Sequence, residues 1–172
     1  MLTIDQQKWI DHLSDTDTVV IVPFDTTAEE KFLTIKKRIH SSLGVDIRVE
    51  HHGATSLGIS GQDEIDVYIP VVPDKFDALM ASLDGLFGKP ASMYPRQRAR
   101  FVTSVDDKHI DVFLINENSS DWRNCVKFES YLKNHSTDLE TYRKLKESGN
   151  TLSTREYYRI KTEFINEILA KS

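Results

Sequence analysis

The stretch Glu50-His51-His52-Gly53-Ala54-Thr55-Ser56-Leu57-Gly58-Ile59-Ser60-Gly61-Gln62-Asp63-Glu64-Ile65-Asp66-Val67-Tyr68-Ile69-Pro70 decides how this chain is read. It is entered from Asp46-Ile47-Arg48-Val49, which predicts a strand. It breaks at small and polar residues and resumes as a second strand carrying alternating acids. A turn of small residues lets backbone N–H groups approach a phosphate, because no side chain blocks the way. Side chains alternate along a strand, so Glu64, Asp66 and Tyr68 share one face and Ile65, Val67 and Ile69 the other. Together these are the parts needed to hold a nucleoside triphosphate and its magnesium.

A second acidic strand lies downstream. His109, Asp111 and Phe113 share a face, opposite Ile110, Val112 and Leu114. If the two strands are neighbours, Glu64, Asp66 and Asp111 converge, and three carboxylates repel unless a cation sits between them. Oxygen-rich clusters of this kind suit Mg²⁺. The competing reading is a solvated sheet face with no metal. For Gly53-Ala54-Thr55-Ser56 the two readings are a phosphate turn and an ordinary loop with a capped one-turn helix. Arg96, Arg98 and Arg100 alternate and share a strand face, with two readings, forked hydrogen bonds to a phosphate or a charged strand edge; the edge is favoured except for Arg100, nearest the core, which is expected to steady a phosphate. His51 and His52 point to opposite faces, so they do not serve one ion, and no zinc site is expected. Cys125 reads as a small packing residue.

Outward from this centre the chain alternates helix and strand. Leu2 to Leu13 predicts a helix capped by Thr3, and Thr18 to Pro23 a short apolar strand. Thr27 with Glu30 matches a capping box before a helix burying Phe32, Ile35, Ile39 and Leu43, which Gly44 ends. Pro73 opens a helix that Gly85 and Gly88 close. Residues 98–105 and 109–115 predict two strands around an Asp106-Asp107-Lys108 turn. The rest predicts helices, capped at Ser119 or Ser120 and boxed at Thr137/Glu140 and Ser153/Glu156. The fold class expected is α/β (α+β): a small mixed β-sheet flanked by helices, as a core over residues 1–118, with a C-terminal helical segment over 119–172 packed on it.

Net charge is −5, so the chain lacks the cationic surplus that gripping long nucleic acid requires. No apolar run approaches the length of a membrane span. The start, Met1 to Gln7, lacks a signal peptide's basic and apolar regions. One cysteine permits no intrachain disulfide, and a reducing cytoplasm is the expected location.

The central stretch resembles the signature of the nucleotidyltransferase superfamily: Gly and a small residue, a short helix, then an acid–apolar–acid strand. More closely, the chain is similar to the GrpB-like family. Val19 to Asp25, Gly53 to Ser56 with Gly58 to Gly61, His109 to Phe113, and Phe128, Tyr131, Tyr142, Leu145, Tyr158, Lys161 and Phe164 carry that resemblance. It departs at Leu57, where relatives have a nearby proline, at Gln62-Asp63 in place of Lys-Pro, at Thr26-Thr27 in place of a tryptophan, and at Asp111, where many relatives carry histidine. The resemblance implies a nucleotidyltransferase that moves a nucleoside monophosphate from an NTP, ATP being expected, to a hydroxyl of an unknown small-molecule or protein acceptor. Glu64, Asp66 and Asp111 would hold Mg²⁺ and carry the catalysis. Gly53, Ala54, Thr55, Ser56, Arg100 and Lys161 would bind nucleotide phosphates, a solvated helix lysine being the alternative for Lys161. The alternative function is a non-catalytic nucleotide-binding or partner-binding module on the same fold; a metal-dependent phosphohydrolase is the third reading.

Overall fold

Residues 64–71 and 108–116 alternate or run apolar throughout, and they build the centre of the sheet. The structure, a computed structural model, describes residues 1–171. Strand β2 (Glu64–Val71) lies parallel to β5 (Lys108–Asn116), with β1 (Glu50–His52) antiparallel on its outer side. Strands β4 (Arg98–Val105) and β3 (Ser92–Tyr94) continue the sheet antiparallel, in the order β1-β2-β5-β4-β3. The mixed α/β class expected from the sequence is the one observed. Ile65, Val67, Ile69, Ile110, Val112 and Leu114 are fully buried on one sheet face. Helices α2 (Ala28–Leu43) and α4 (Pro73–Phe87) cover that face with Phe32, Ile35, Ile39, Phe76 and Leu83. The opposite face carries the acids.

Helix α3 (Gly53–Ser56) is a single turn between β1 and β2. Helices α5 (Ser120–Asn134), α6 (Ser136–Ser148) and α7 (Thr154–Lys171) pack around Phe128, Leu132, Tyr142, Phe164 and Ile168. Ile59 belongs to the same cluster, with Ala54 and Leu57 against it, so the helices seat directly on the α3 turn. Helix α1 (Ile4–Asp11) lies against α7, with the Trp9 ring edge-on to Tyr158. Among the described residues no helix is long and apolar enough to cross a membrane.

Several local expectations change. Thr18 to Pro23 is not a sheet strand. Its backbone bonds go to loops instead: Val19 N–H to Leu152 O, and Val22 reciprocally to Gly61, fastening the N-terminal segment across the molecule. Residues 45–47 turn after Gly44, and β1 begins only at Glu50. Thr3 forms its capping box with Gln6, but Thr27 does not cap α2, because its hydroxyl donates to Asp25 and accepts from Lys31. Hydrogen bonds from Thr27 and then Lys31 hold the Asp25 carboxyl well below the usual carboxylate range. Thr137 lies inside α6, whose cap position is His135, and Glu140 pairs with Arg143. Ser153 makes half of its box, accepting the Glu156 N–H at 3.2 Å. Gly85 is internal to α4; Gly88, at φ +85°, ends it. The 92–94 strand has no alternating pattern to announce it, and Arg96 turns between β3 and β4 with φ +54°. Arg96 therefore leaves the arginine row and pairs with Asp77.

Candidate active site

The parallel register of β2 and β5 sets Asp66 beside Asp111 and Glu64 beside His109. Neighbouring strands lie about 4.8 Å apart and paired residues face the same side. Two carboxylates on adjacent strands are thereby brought to one sheet face. One ligand atom each from Glu64, His109 and Asp111 lies within 4.8 Å of the others. Asp111 is 4% exposed and firmly held. Arg100 Nη1 donates to its Oδ2 at 3.1 Å, and His109 Nε2 lies 2.9 Å from its Oδ1. Arg100 reaches it from the same face of β4, opposite Phe113. Arg98 instead covers the Tyr94 and Phe113 rings.

Glu64 and Asp66 are in a different state. Among the described residues, no hydrogen-bond donor reaches either carboxylate. Burial, then the charge of Glu64, with Asp111 adding, pushes Asp66 up to about 7 against the pull of Lys161 and Lys146. Burial and Asp111 likewise raise Glu64. Lys146 (α6) is 4% exposed, and burial and Lys161 push it down to about 7. Lys161 (α7) lies 5.1 Å from the Tyr158 ring centroid. Burial works against its charge, but Tyr142, Tyr158, Tyr157 and Asp66 outweigh it and hold the ammonium above its usual range. Two helix lysines thus act by their charge on the two strand carboxylates. The family resemblance points to Lys161, with a solvated helix lysine as the alternative; nothing in the sequence reading points to Lys146, whose only sequence signal is its place on an otherwise apolar helix face with Tyr142 and Leu145.

This donor set fits a hard divalent cation. Carboxylate oxygens without hydrogen-bond donors, crowded and mutually repelling, are what such an ion neutralises. The Asp111 oxygens are shared with Arg100 and His109, whereas among the described residues Glu64 and Asp66 have no such donors.

The α3 turn differs from the expected phosphate cradle. Gly53 sits at φ +78°, and its N–H donates to Glu129 Oε1 at 2.6 Å. Ser56 Oγ donates to Glu129 Oε2 at 3.1 Å. A Cβ on Gly53 would fall 2.0 Å from Asp66 Oδ2. The smallness of this residue therefore admits the Asp66 carboxylate to the turn. Thr55 Oγ1 lies 2.9 Å from His51 Nε2. The Ala54 and Thr55 N–H groups, in the first turn of a helix, have no intrahelical acceptor.

Behind the turn, His52 is 6% exposed and Glu129 5% exposed. His52 Nδ1 lies 3.0 Å from Glu129 Oε2 and 3.7 Å from Cys125 Sγ; its Nε2 lies 3.2 Å from Glu50 Oε2. Burial opposes the imidazolium, yet Cys125 and Glu129 outweigh it and raise His52 to about 10. Burial pushes the Cys125 thiol up. Sequence reading missed this cluster. Cys125 and Glu129 are four apart and share a helix face, but nothing local ties that face to His52.

Comparison with known proteins fits this architecture. No functionally curated protein matches the chain. The structure is similar to the crystal structure of conserved protein GrpB from Enterococcus faecalis, at TM-score 0.68 and 18% identity, covering 88% of this chain and 98% of that one. Polymerase beta of Leishmania infantum, in a ternary primer–template complex, overlaps at TM-score 0.42 and 11% identity, over 90% of this chain and 68% of that one. The Cid1 poly(U) polymerase bound to 3′-dATP overlaps at TM-score 0.41 and 14% identity, over 90% and 52%. The family described as GrpB protein matches residues 18–171. With that match running from the N-terminal crossing segment through the last helix, the chain belongs to the GrpB family.

Proposed function

We propose that the acidic cleft is a Mg²⁺-dependent nucleotidyltransferase site, moving a nucleoside monophosphate from an NTP, ATP in the first instance, to an acceptor hydroxyl. The observation that carries this reading is the Asp66–Asp111 pairing in parallel register, with a Glu64 oxygen within 4.8 Å of Asp111 and, among the described residues, no donor on Glu64 or Asp66. The superfamily resemblance of the 50–70 stretch supports it. Glu64, Asp66 and Asp111 would hold the metal, which when bound would neutralise charge on the transferring group. Lys146 and Lys161 would take triphosphate oxygens, the open N–H groups of Ala54 and Thr55 assisting. Arg100 and His109 fix the Asp111 carboxylate, and Asp111 orients the acceptor hydroxyl and receives its proton. ATP as donor and a single cysteine are in keeping with a cytoplasmic location.

A second reading, a nucleotide- or partner-binding module without transfer, is favoured by one observation: the Glu129 carboxylate takes the Gly53 N–H and the Ser56 hydroxyl. The test is incubation with each NTP and Mg²⁺, water and the protein's own hydroxyls serving as default acceptors. Mg²⁺-dependent pyrophosphate, abolished by Asp111→Asn, is the expected result. Free phosphate would replace transfer by hydrolysis, and tight NTP binding without pyrophosphate would establish the module.

A further inference from the structure

We propose that His52, Cys125 and Glu129 form a second metal site, built for a borderline cation of the Zn²⁺ type and separate from the acidic cleft. One nitrogen, one sulfur and one oxygen converge from two elements, β1 and α5, and their ligand atoms all lie within 4.8 Å of one another. Zinc bonds of about 2.0–2.3 Å at tetrahedral angles give ligand–ligand edges of roughly 3.3–3.7 Å. The Nδ1–Oε2 separation is 3.0 Å and the Nδ1–Sγ separation 3.7 Å, so these two edges meet an ion with shifts of a few tenths of an ångström, and the third, from sulfur to carboxylate, lies within 4.8 Å.

The surroundings are those of a metal site. A metal-bound histidine commonly gives its other ring N–H to a carboxylate. Here Nε2 lies 3.2 Å from Glu50 Oε2, leaving Nδ1 as the ligand. The second oxygen of Glu129 accepts the Gly53 N–H, which fixes that carboxylate's direction. Tyr68 and Trp122 stand edge-on to the imidazole with centroids 5.1 and 5.2 Å away, locking its plane. Three protein ligands leave a fourth position for water. Thiolate and imidazole donors select against Mg²⁺. Binding releases the Nδ1 proton and the thiol proton to solvent. The ion would tie α5 to the turn on which Asp66 rests.

The test uses the whole chain, metal-free and reduced, titrated with Co²⁺ as the spectroscopic probe and with Zn²⁺ by calorimetry. Because the chain has a single cysteine, a thiolate-to-cobalt absorption band reports this site alone. The expected result is one equivalent of Co²⁺ producing that band, displaced by one equivalent of Zn²⁺. The band is lost in Cys125→Ser and retained in the Glu64→Gln/Asp66→Asn double variant. Glu50→Gln should keep the band while weakening Zn²⁺ binding about 10- to 100-fold. A parent protein that gives no thiolate band overturns the proposal and leaves a His52–Glu129 ion pair. Zn²⁺ affinity unchanged by Cys125→Ser overturns it equally.

Discussion

Replacing Asp66 by Asn should stabilise the metal-free protein above pH 7 and leave it unchanged near pH 4. Asp66 is held at about 7 in the fold, against an ordinary value of 3.8. The folded state therefore binds the proton more tightly than the unfolded chain does. The stability contributed by this protonation is fully present below about pH 4, is lost as pH rises, and is gone above about pH 7. A shift of about three units at about 1.4 kcal/mol each sets an upper bound of roughly 4 kcal/mol. Half of that is a reasonable expectation once the carboxylate relaxes toward solvent. Asn is nearly isosteric and carries no charge, so it removes the penalty while keeping the contact with Gly53. For a chain of this length, one kcal/mol moves Tm by about 2–4 °C. Urea unfolding followed by circular dichroism at pH 4, 6 and 8, with chelator present, measures the difference. Parent and variant should coincide at pH 4 and separate by about 2–4 kcal/mol at pH 8, with the variant the more stable. A variant equal to or weaker than the parent at pH 8 would refute the picture of an uncompensated carboxylate. Added Mg²⁺ should then close the gap, since a ligand at a hundred times its Kd stabilises by about 2.7 kcal/mol.

Gly53→Ala should cost more than about 2 kcal/mol, combining a left-handed backbone with the Asp66 clash; a loss under about 0.5 kcal/mol in urea unfolding would contradict the close approach. Lys146→Met should raise stability at pH 6, with the gain fading as pH climbs from about 7 toward 10.5, because a depressed lysine costs most where it is charged. The same variant should bind triphosphate about 10-fold more weakly by calorimetry at pH 7, the loss of roughly one charge-assisted hydrogen bond. Glu129→Ala should destabilise by about 3–5 kcal/mol, since it strands the buried His52 imidazolium and the Gly53 N–H; a thermal melt within 2 °C of the parent would show that the clamp is not structural.

The strand acids were legible because alternation is a local property. Glu64, Asp66, His109 and Asp111 declare their faces within a few residues, and the apolar partners between them declare the core. Whether the two faces meet depends on β2 and β5 being neighbours, a pairing across more than forty residues that alternation suggests but does not specify. Local signals failed where a distant partner competed. Thr27 has the right spacing for a cap, but Asp25 and Lys31 take its hydroxyl. Residues 18–23 have the composition of a strand, but the loops around Leu152 and Gly61 supply their hydrogen bonds. The small residues at 53–56 are compatible with a phosphate or an internal carboxylate, and only the fold brings Glu129 to them. Lys146 and the His52–Cys125–Glu129 group are products of helix docking, with no spacing rule linking their parts.

The proposed role of Glu64, Asp66 and Asp111 is to hold a divalent cation for a nucleotide. Melting temperatures of the parent and of Asp111→Asn, each measured bare, with Mg²⁺, with ATP and with both, test it most directly. The parent should gain more from Mg²⁺ and ATP together than from the sum of each alone, and Asp111→Asn should lose that excess while remaining folded. A parent with no excess stabilisation from the pair, or a variant that keeps it in full, would rule out a metal-assisted nucleotide site on these three acids.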